Sequence, residues 1–228
     1  MKPESQSGGM RWARRVFLLS PANAGGKRAQ LLLKKTATFE FAERLQERGL
    51  PLGEAFSFIS GLYFRGKLAY ASAFAVPPPG APGVSVITAS GGLMSPFTLI
   101  TKSEFCEISA APVDASEPRY RIPLECDARR LYEQVSDNCE VVLLGSVATP
   151  KYVDPLLAIF GERLVFPAEF AGRGDMSRGG LMLRCVRLGV ELKYVPILAA
   201  ERHGRRPAKL PRLVVSGAPR KRVVVPSQ

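Results

Sequence analysis

The segment Ala171-Gly-Arg-Gly-Asp-Met-Ser-Arg-Gly-Gly180 sets glycines beside Arg173 and Arg178, just ahead of an apolar stretch. Backbone bared at Gly172 lets N–H groups approach an anion, guanidinium forks match phosphate oxygens, and a following helix adds its N-terminal amides. Gly172, Arg173, Ser177 and Arg178 are therefore candidate phosphate ligands. Asp175 and the upstream Glu169 are the carboxylates placed to activate water as a general base. Each also has a simpler reading: Asp175 or Ser177 as a helix cap, Glu169 as the ion-pair partner of Arg173. A second segment, Ser20-Pro-Ala-Asn-Ala-Gly-Gly-Lys-Arg28, offers Ser20, Asn23, Lys27 and Arg28 to an anion, or is a plain turn. It has neither Walker spacing nor a G-x-G-x-x-G pattern.

Two further small-residue segments follow apolar runs: Ser90-Gly-Gly-Leu-Met-Ser-Pro96, with Gly91, and Gly145-Ser-Val-Ala-Thr149. Neither is a G-x-S-x-G elbow; both read as tight strand exits that line a pocket. Tyr63-Phe-Arg-Gly-Lys67 mixes rings suited to base stacking with Arg65 and Lys67, although Tyr63, Phe64 and Tyr70 on a helix also read as core. Cys106, Cys126, Cys139 and Cys185 form no C-x-x-C pair, and His203 is the only histidine. That pattern argues against a zinc cage or a redox motif, and no cofactor or metal is expected. His203 reads as part of a basic surface with Arg205 and Arg206.

Something must hold these segments together. Val16–Leu19, Val84–Thr88, Val141–Leu144 and Leu164–Phe166 are short, apolar, strand-like runs, each opening into one of the small-residue segments. Residues 39–48 carry an amphipathic helical spacing ended by Gly49, and residues 62–74 a second helix before Pro77-Pro-Pro-Gly80. A glycine loop over 171–180 is expected to precede a helix over 181–187, and residues 191–196 to form a last strand. Strand, loop and helix in alternation predict an α/β fold: three-layer and Rossmann-like, with a mostly parallel central sheet and helices on both faces. In such a sheet the four exits share one rim, where ligands gather.

The chain has 228 residues and a net charge of +12, an excess that attracts polyanions. Eight Lys/Arg against one acid fall within residues 201–228. The organisation expected is a disordered leader over 1–14, an α/β domain over 15–200 and a basic tail over 201–228. No apolar run is long enough to span a membrane and no secretory signal is evident, so a cytoplasmic protein without a membrane partner is expected.

Five blocks resemble the YaaA-like family, which is associated with peroxide stress and DNA binding. They are Leu18–Ala22, Leu62–Gly66, Thr88–Pro96, Val142–Leu156 and Gly172–Arg178. Asn23 stands where that family carries lysine, so the role of that lysine passes to this chain only if Lys27 substitutes for it. Related Rossmann-like and uracil-glycosylase-like domains share the same order of parts. The resemblance and the charge together imply a nucleic-acid partner, DNA before RNA, in DNA maintenance or stress response, with a nucleotide or base held at the rim. Two alternatives stand beside it: an enzyme acting on an N-glycosidic bond through Glu169 or Asp175, and a non-catalytic protein whose partners the residues do not identify.

Overall fold

A computed structural model of the chain describes residues 14–135, 137–199 and 207–208. The elements run β1 (Arg14–Leu19), α1 (Lys27–Leu33), α2 (Glu40–Glu47), β2 (Leu50–Pro51), α3 (Leu52–Ser60), α4 (Leu62–Phe74), β3 (Val84–Ile87) and β4 (Leu93–Met94). They continue with β5 (Leu99–Ile100), α5 (Lys102–Ile108), α6 (Pro118–Gln134), β6 (Cys139–Leu144), α7 (Pro150–Phe160), β7 (Leu164–Pro167), α8 (Asp175–Leu188) and β8 (Tyr194–Pro196). The protein is mixed α/β, with eight α-helices among the described residues and one six-stranded sheet of order β4-β3-β1-β6-β7-β8.

The four inner strands are mutually parallel, with Phe17 beside Val84, Val16 beside Val141 and Val141 beside Leu164. β4 and β8 run antiparallel at the two edges and are only two and three residues long. Every residue of β6 is buried. A continuous apolar run, rather than alternation, is what a strand covered on both faces requires. The side chains of β1, β3, β6 and β7 meet those of the helices in a single hydrophobic core.

Because the inner strands point the same way, the exits after β1, β3, β6 and β7 lie along one edge of the sheet, as the sequence predicts. The helices that follow differ in their supports. α5 opens on a capping box, Thr101 Oγ1 accepting from the Glu104 N–H while the Glu104 carboxylate accepts from the Thr101 N–H at 2.7 Å. α6 opens on Pro118, with the Glu117 carboxylate accepting from the Arg119 N–H at 3.2 Å.

Three expectations are corrected. Arg14 opens β1 rather than ending a leader, and the rest of that leader lies outside the described residues, as does the tail apart from residues 207–208. Residues 175–180 are not loop: α8 begins at Asp175 and carries Gly179 and Gly180 inside it. These glycines belong there because α8 crosses α4 backbone to backbone. A Cβ on Gly179 would stand 2.7 Å from the Leu62 carbonyl oxygen, and one on Gly66 would stand 2.8 Å from that of Gly179. Finally, the last strand is shorter than residues 191–196.

Candidate functional site

Along the edge of strand exits lies a cavity of about 470 Å³. The β1 exit supplies one wall through Ser20 and Asn23, α3 supplies Phe56 and Ser60, and α4 supplies Tyr63. Opposite them stand Ser146 from the β6 exit, Lys151 and Tyr152 from the start of α7, and Asp175 from the first turn of α8. Ile108 at the end of α5 and Ser109, Ala111, Pro112 and Val113 after it also line the cavity.

Lys67 does not itself line the cavity but lies behind two residues that do, Ser20 and Tyr63. It sits one helical turn after Tyr63 on α4 and is 1% exposed, so it is corrected from an expected nucleic-acid contact to a buried group. Its Nζ donates to the Ser20 carbonyl at 2.5 Å and to Ser20 Oγ at 2.8 Å, and the rings of Tyr63 and Phe64 flank it at 4.6 and 4.8 Å. Loss of hydration at this position lowers its pKa to about 7, with Asp175 pulling it back up and Arg178 pushing it further down. No carboxylate forms an ion pair with it among the described residues; Asp175 pairs instead with Arg178 at 3.8 Å.

Tyr63 is buried, and its hydroxyl has no hydrogen-bond partner among the described residues. Burial pushes its pKa up to about 12, so it stays a proton donor across the physiological range. Burial raises Tyr152 as well, and Ser20 acts in the opposite direction on that phenol. Asn23 uses its side-chain oxygen to accept from the Gly25 N–H at 3.1 Å, which leaves its amide nitrogen to donate.

Of the residues singled out from the sequence, Ser20, Asn23 and Asp175 line the cavity. Lys27 and Arg28 are exposed at the start of α1, just beyond the Asn23–Gly25 wall, and Arg28 also reaches the Phe58 carbonyl at 3.4 Å. Gly145 packs behind the site: a Cβ there would stand 3.0 Å from that of Ser20. Gly91 lies in the reversal between β3 and β4, its N–H donating to Thr88 Oγ1 at 2.9 Å. The next residue, Gly92, has φ 65°, and a Cβ on it would strike the Asp127 carboxylate that accepts from the Leu93 N–H at 2.9 Å. That glycine pair therefore builds a turn.

Residues 169–178 are occupied mainly with one another. Arg173 Nε donates to the Glu169 carbonyl at 2.9 Å and Nη1 to Ser177 Oγ at 3.3 Å. Arg178 donates to the Phe170 carbonyl through Nε at 3.2 Å and Nη2 at 3.0 Å. Both guanidinium groups hold the turn that contains Glu169 and Phe170. Gly172 allows that turn to close, at φ 68°. The Glu169 carboxylate does not pair with Arg173; it accepts from the Lys193 N–H at 3.3 Å and is absent from the cavity lining. The two candidate acids are thus separated.

Arg65 is exposed on α4 and does not line the cavity, and His203, Arg205 and Arg206 lie outside the described residues. Sequence reading missed Tyr152 and Lys151 as lining residues, and it missed the position of Lys67. A signal existed for the last: Tyr63, Gly66, Lys67 and Tyr70 follow the three-and-four spacing of a buried helical stripe, which puts the lysine inside. Among the described residues no group of acidic, histidine and cysteine side chains can hold a metal ion, and no helix is long and apolar enough to cross a membrane. Comparison with protein-family models, with curated proteins and with solved structures finds no match for this chain.

Proposed function

We propose that the protein binds nucleic acid, DNA first, and takes a base or nucleotide into the cavity at the strand exits. One observation carries this reading: a cavity of about 470 Å³ where aromatic faces and hydrogen-bonding edges converge beside exposed cations. Phe56, Tyr63 and Tyr152 offer surfaces to a planar ring, and the Asn23 amide, the Tyr63 hydroxyl and the Asp175 carboxylate offer groups to its edge. A neutral heterocycle suits this lining better than a phosphate, which Asp175 repels. The phosphate stays outside, against Lys27, Arg28 and Lys151.

The likeness to the YaaA-like blocks and the +12 charge support the same reading. So does the mostly parallel sheet, at whose carboxyl strand ends ligands collect; the same reading takes the arrangement to be three-layer and Rossmann-like, with helices on both faces. The reading places the protein in DNA maintenance or stress response in the cytoplasm. Its test is fluorescence anisotropy with labelled oligonucleotides over a salt series. If three cations each neutralise one phosphate, affinity falls roughly fortyfold between 50 and 200 mM salt, and the double variant K27E/R28E flattens the slope by about two. Affinity indifferent to salt sinks the proposal.

A second reading rests on Asp175, the one carboxylate among the described residues that lines the cavity. There it activates water against an N-glycosidic bond of an extruded nucleotide. Abasic sites formed by the native protein and abolished in Asp175→Asn support this enzyme; binding without product supports the first reading alone.

A further inference from the structure

We propose that Ser20 is a nucleophile and Lys67 its general base, making the cavity a site for cleaving esters or similarly activated acyl groups. The proposal is independent of whether the same cavity takes a base. Ser20 leaves the end of β1 directly into the cavity wall, and its Oγ lies 2.8 Å from Lys67 Nζ. The amine is oriented twice over: Nζ donates to the Ser20 carbonyl, and the rings of Tyr63 and Phe64 flank its sides. A neutral amine held in that way keeps one N–H on the carbonyl and turns its lone pair to Oγ–H.

The surroundings favour that neutral form. Lys67 is fully buried and no described carboxylate pairs with it. The charged groups acting on it are Asp175 and Arg178 from α8, which oppose each other; the polar groups lining the cavity include the Tyr63 hydroxyl on its own helix, Ser20 and Asn23 from the β1 exit, Ser60 from α3, Ser146 from the β6 exit, and the Lys151 ammonium and Tyr152 phenol from α7. The resulting pKa near 7 leaves a large fraction of the amine unprotonated at neutral pH. A lysine used only as a strut has no need of the serine hydroxyl. Here it engages that hydroxyl as well as the carbonyl.

The chemistry balances without a cofactor. Oγ bonds to the substrate carbonyl carbon as its proton passes to Nζ, and the oxyanion formed takes a hydrogen bond from the unpartnered Tyr63 hydroxyl or from N–H groups of the β1 exit. The N–H groups of Ala22, Asn23 and Ala24 donate to no described carbonyl. As the carbon–leaving-group bond breaks, the Lys67 ammonium protonates the leaving group. Water then adds to the acyl-serine, gives its proton to Nζ, and the carbon–Oγ bond breaks with Oγ regaining that proton. For an ester the products are a carboxylic acid and an alcohol.

The test is labelling of the full chain with a fluorophosphonate, read by intact mass and peptide mapping, with no nucleic acid present. The expected result is one adduct on Ser20, absent in Ser20→Ala, forming at a rate that climbs with pH through an inflection near 7. Lys67→Met, matched in length and apolar, is expected to slow labelling roughly a hundredfold or more and erase the inflection. If that variant does not fold, judged by circular dichroism, the pH profile of the native chain decides. A folded native protein whose Ser20 stays unlabelled at pH 8 to 9, or is labelled at a rate insensitive to pH, overturns the proposal. Because oligonucleotide binding is measured separately, loss of either result leaves the other standing.

Discussion

Gly179→Ala is expected to destabilise the protein by about 3 kcal/mol, while Gly180→Ala, one residue further along α8, is expected to stabilise it by about 0.5 kcal/mol. The first methyl would stand 2.7 Å from the Leu62 carbonyl oxygen and 2.9 Å from the Leu62 carbon and the Tyr63 Cα. All three are backbone atoms, so no side chain can swing aside and the helices must part. The second methyl meets nothing within 4 Å and removes only the conformational freedom that glycine has in the unfolded chain. Urea unfolding of both variants checks the pair, and shifts of the same sign would show that α4 and α8 do not cross as described. Parting the helices also separates Tyr63 and Lys67 on one from Asp175 on the other. Ligand binding and Ser20 labelling are therefore expected to fall in Gly179→Ala under conditions where it remains folded.

Stability is expected to rise by about 2 kcal/mol between about pH 7 and pH 9, an uncommon direction for a basic protein. The cause is Lys67, whose pKa falls from 10.5 in the exposed chain to about 7 when buried. Between those values the unfolded chain binds a proton that the native protein does not, so raising the pH favours the native state. Below about pH 7 both states hold the proton and burial of the charge is felt in full. Above pH 9 to 10 other groups reverse the trend. The thiols of Cys139 and Cys185 and the phenols of Tyr63 and Tyr70 have raised pKa values in the fold, the last two to about 12, so the native state keeps protons that the unfolded chain releases. Urea midpoints at pH 6, 7.5, 9 and 10.5 should trace a maximum, and Lys67→Met should lose the rising limb while keeping the falling one. An unchanged limb in that variant would assign the effect to another group.

The parallel sheet was legible because β1, β3, β6 and β7 are compact apolar runs, each ending in small residues. α4 was legible too, bounded by Gly61 and the proline run after Phe74. α6 was not, because Pro123 and a dense mixture of charges hide the stripe Tyr120, Leu124, Ala128 and Leu131 that it buries. α3 escaped notice although Leu52, Ala55, Phe56 and Ile59 keep helical spacing; it follows β2 with no intervening loop. At the site, Ser20, Asn23 and Asp175 were found because strand exits converge. Glycine misled the reading of residues 171–180: the same residue type that bares a backbone to an anion also lets two helices touch, and only the partner helix distinguishes the uses. Arginine misled it for a related reason, since Arg173 and Arg178 satisfy backbone carbonyls of their own turn.

The two outer strands carry a consequence for how the protein keeps company with itself. β4 spans two residues, and β8 three, the last being Pro196, which brings no N–H to its margin. A long parallel sheet left open at either side would template the addition of strands from another molecule, the first step toward fibrils. Brief, reversed flanks deny that template, so crowding should leave these sheets discrete.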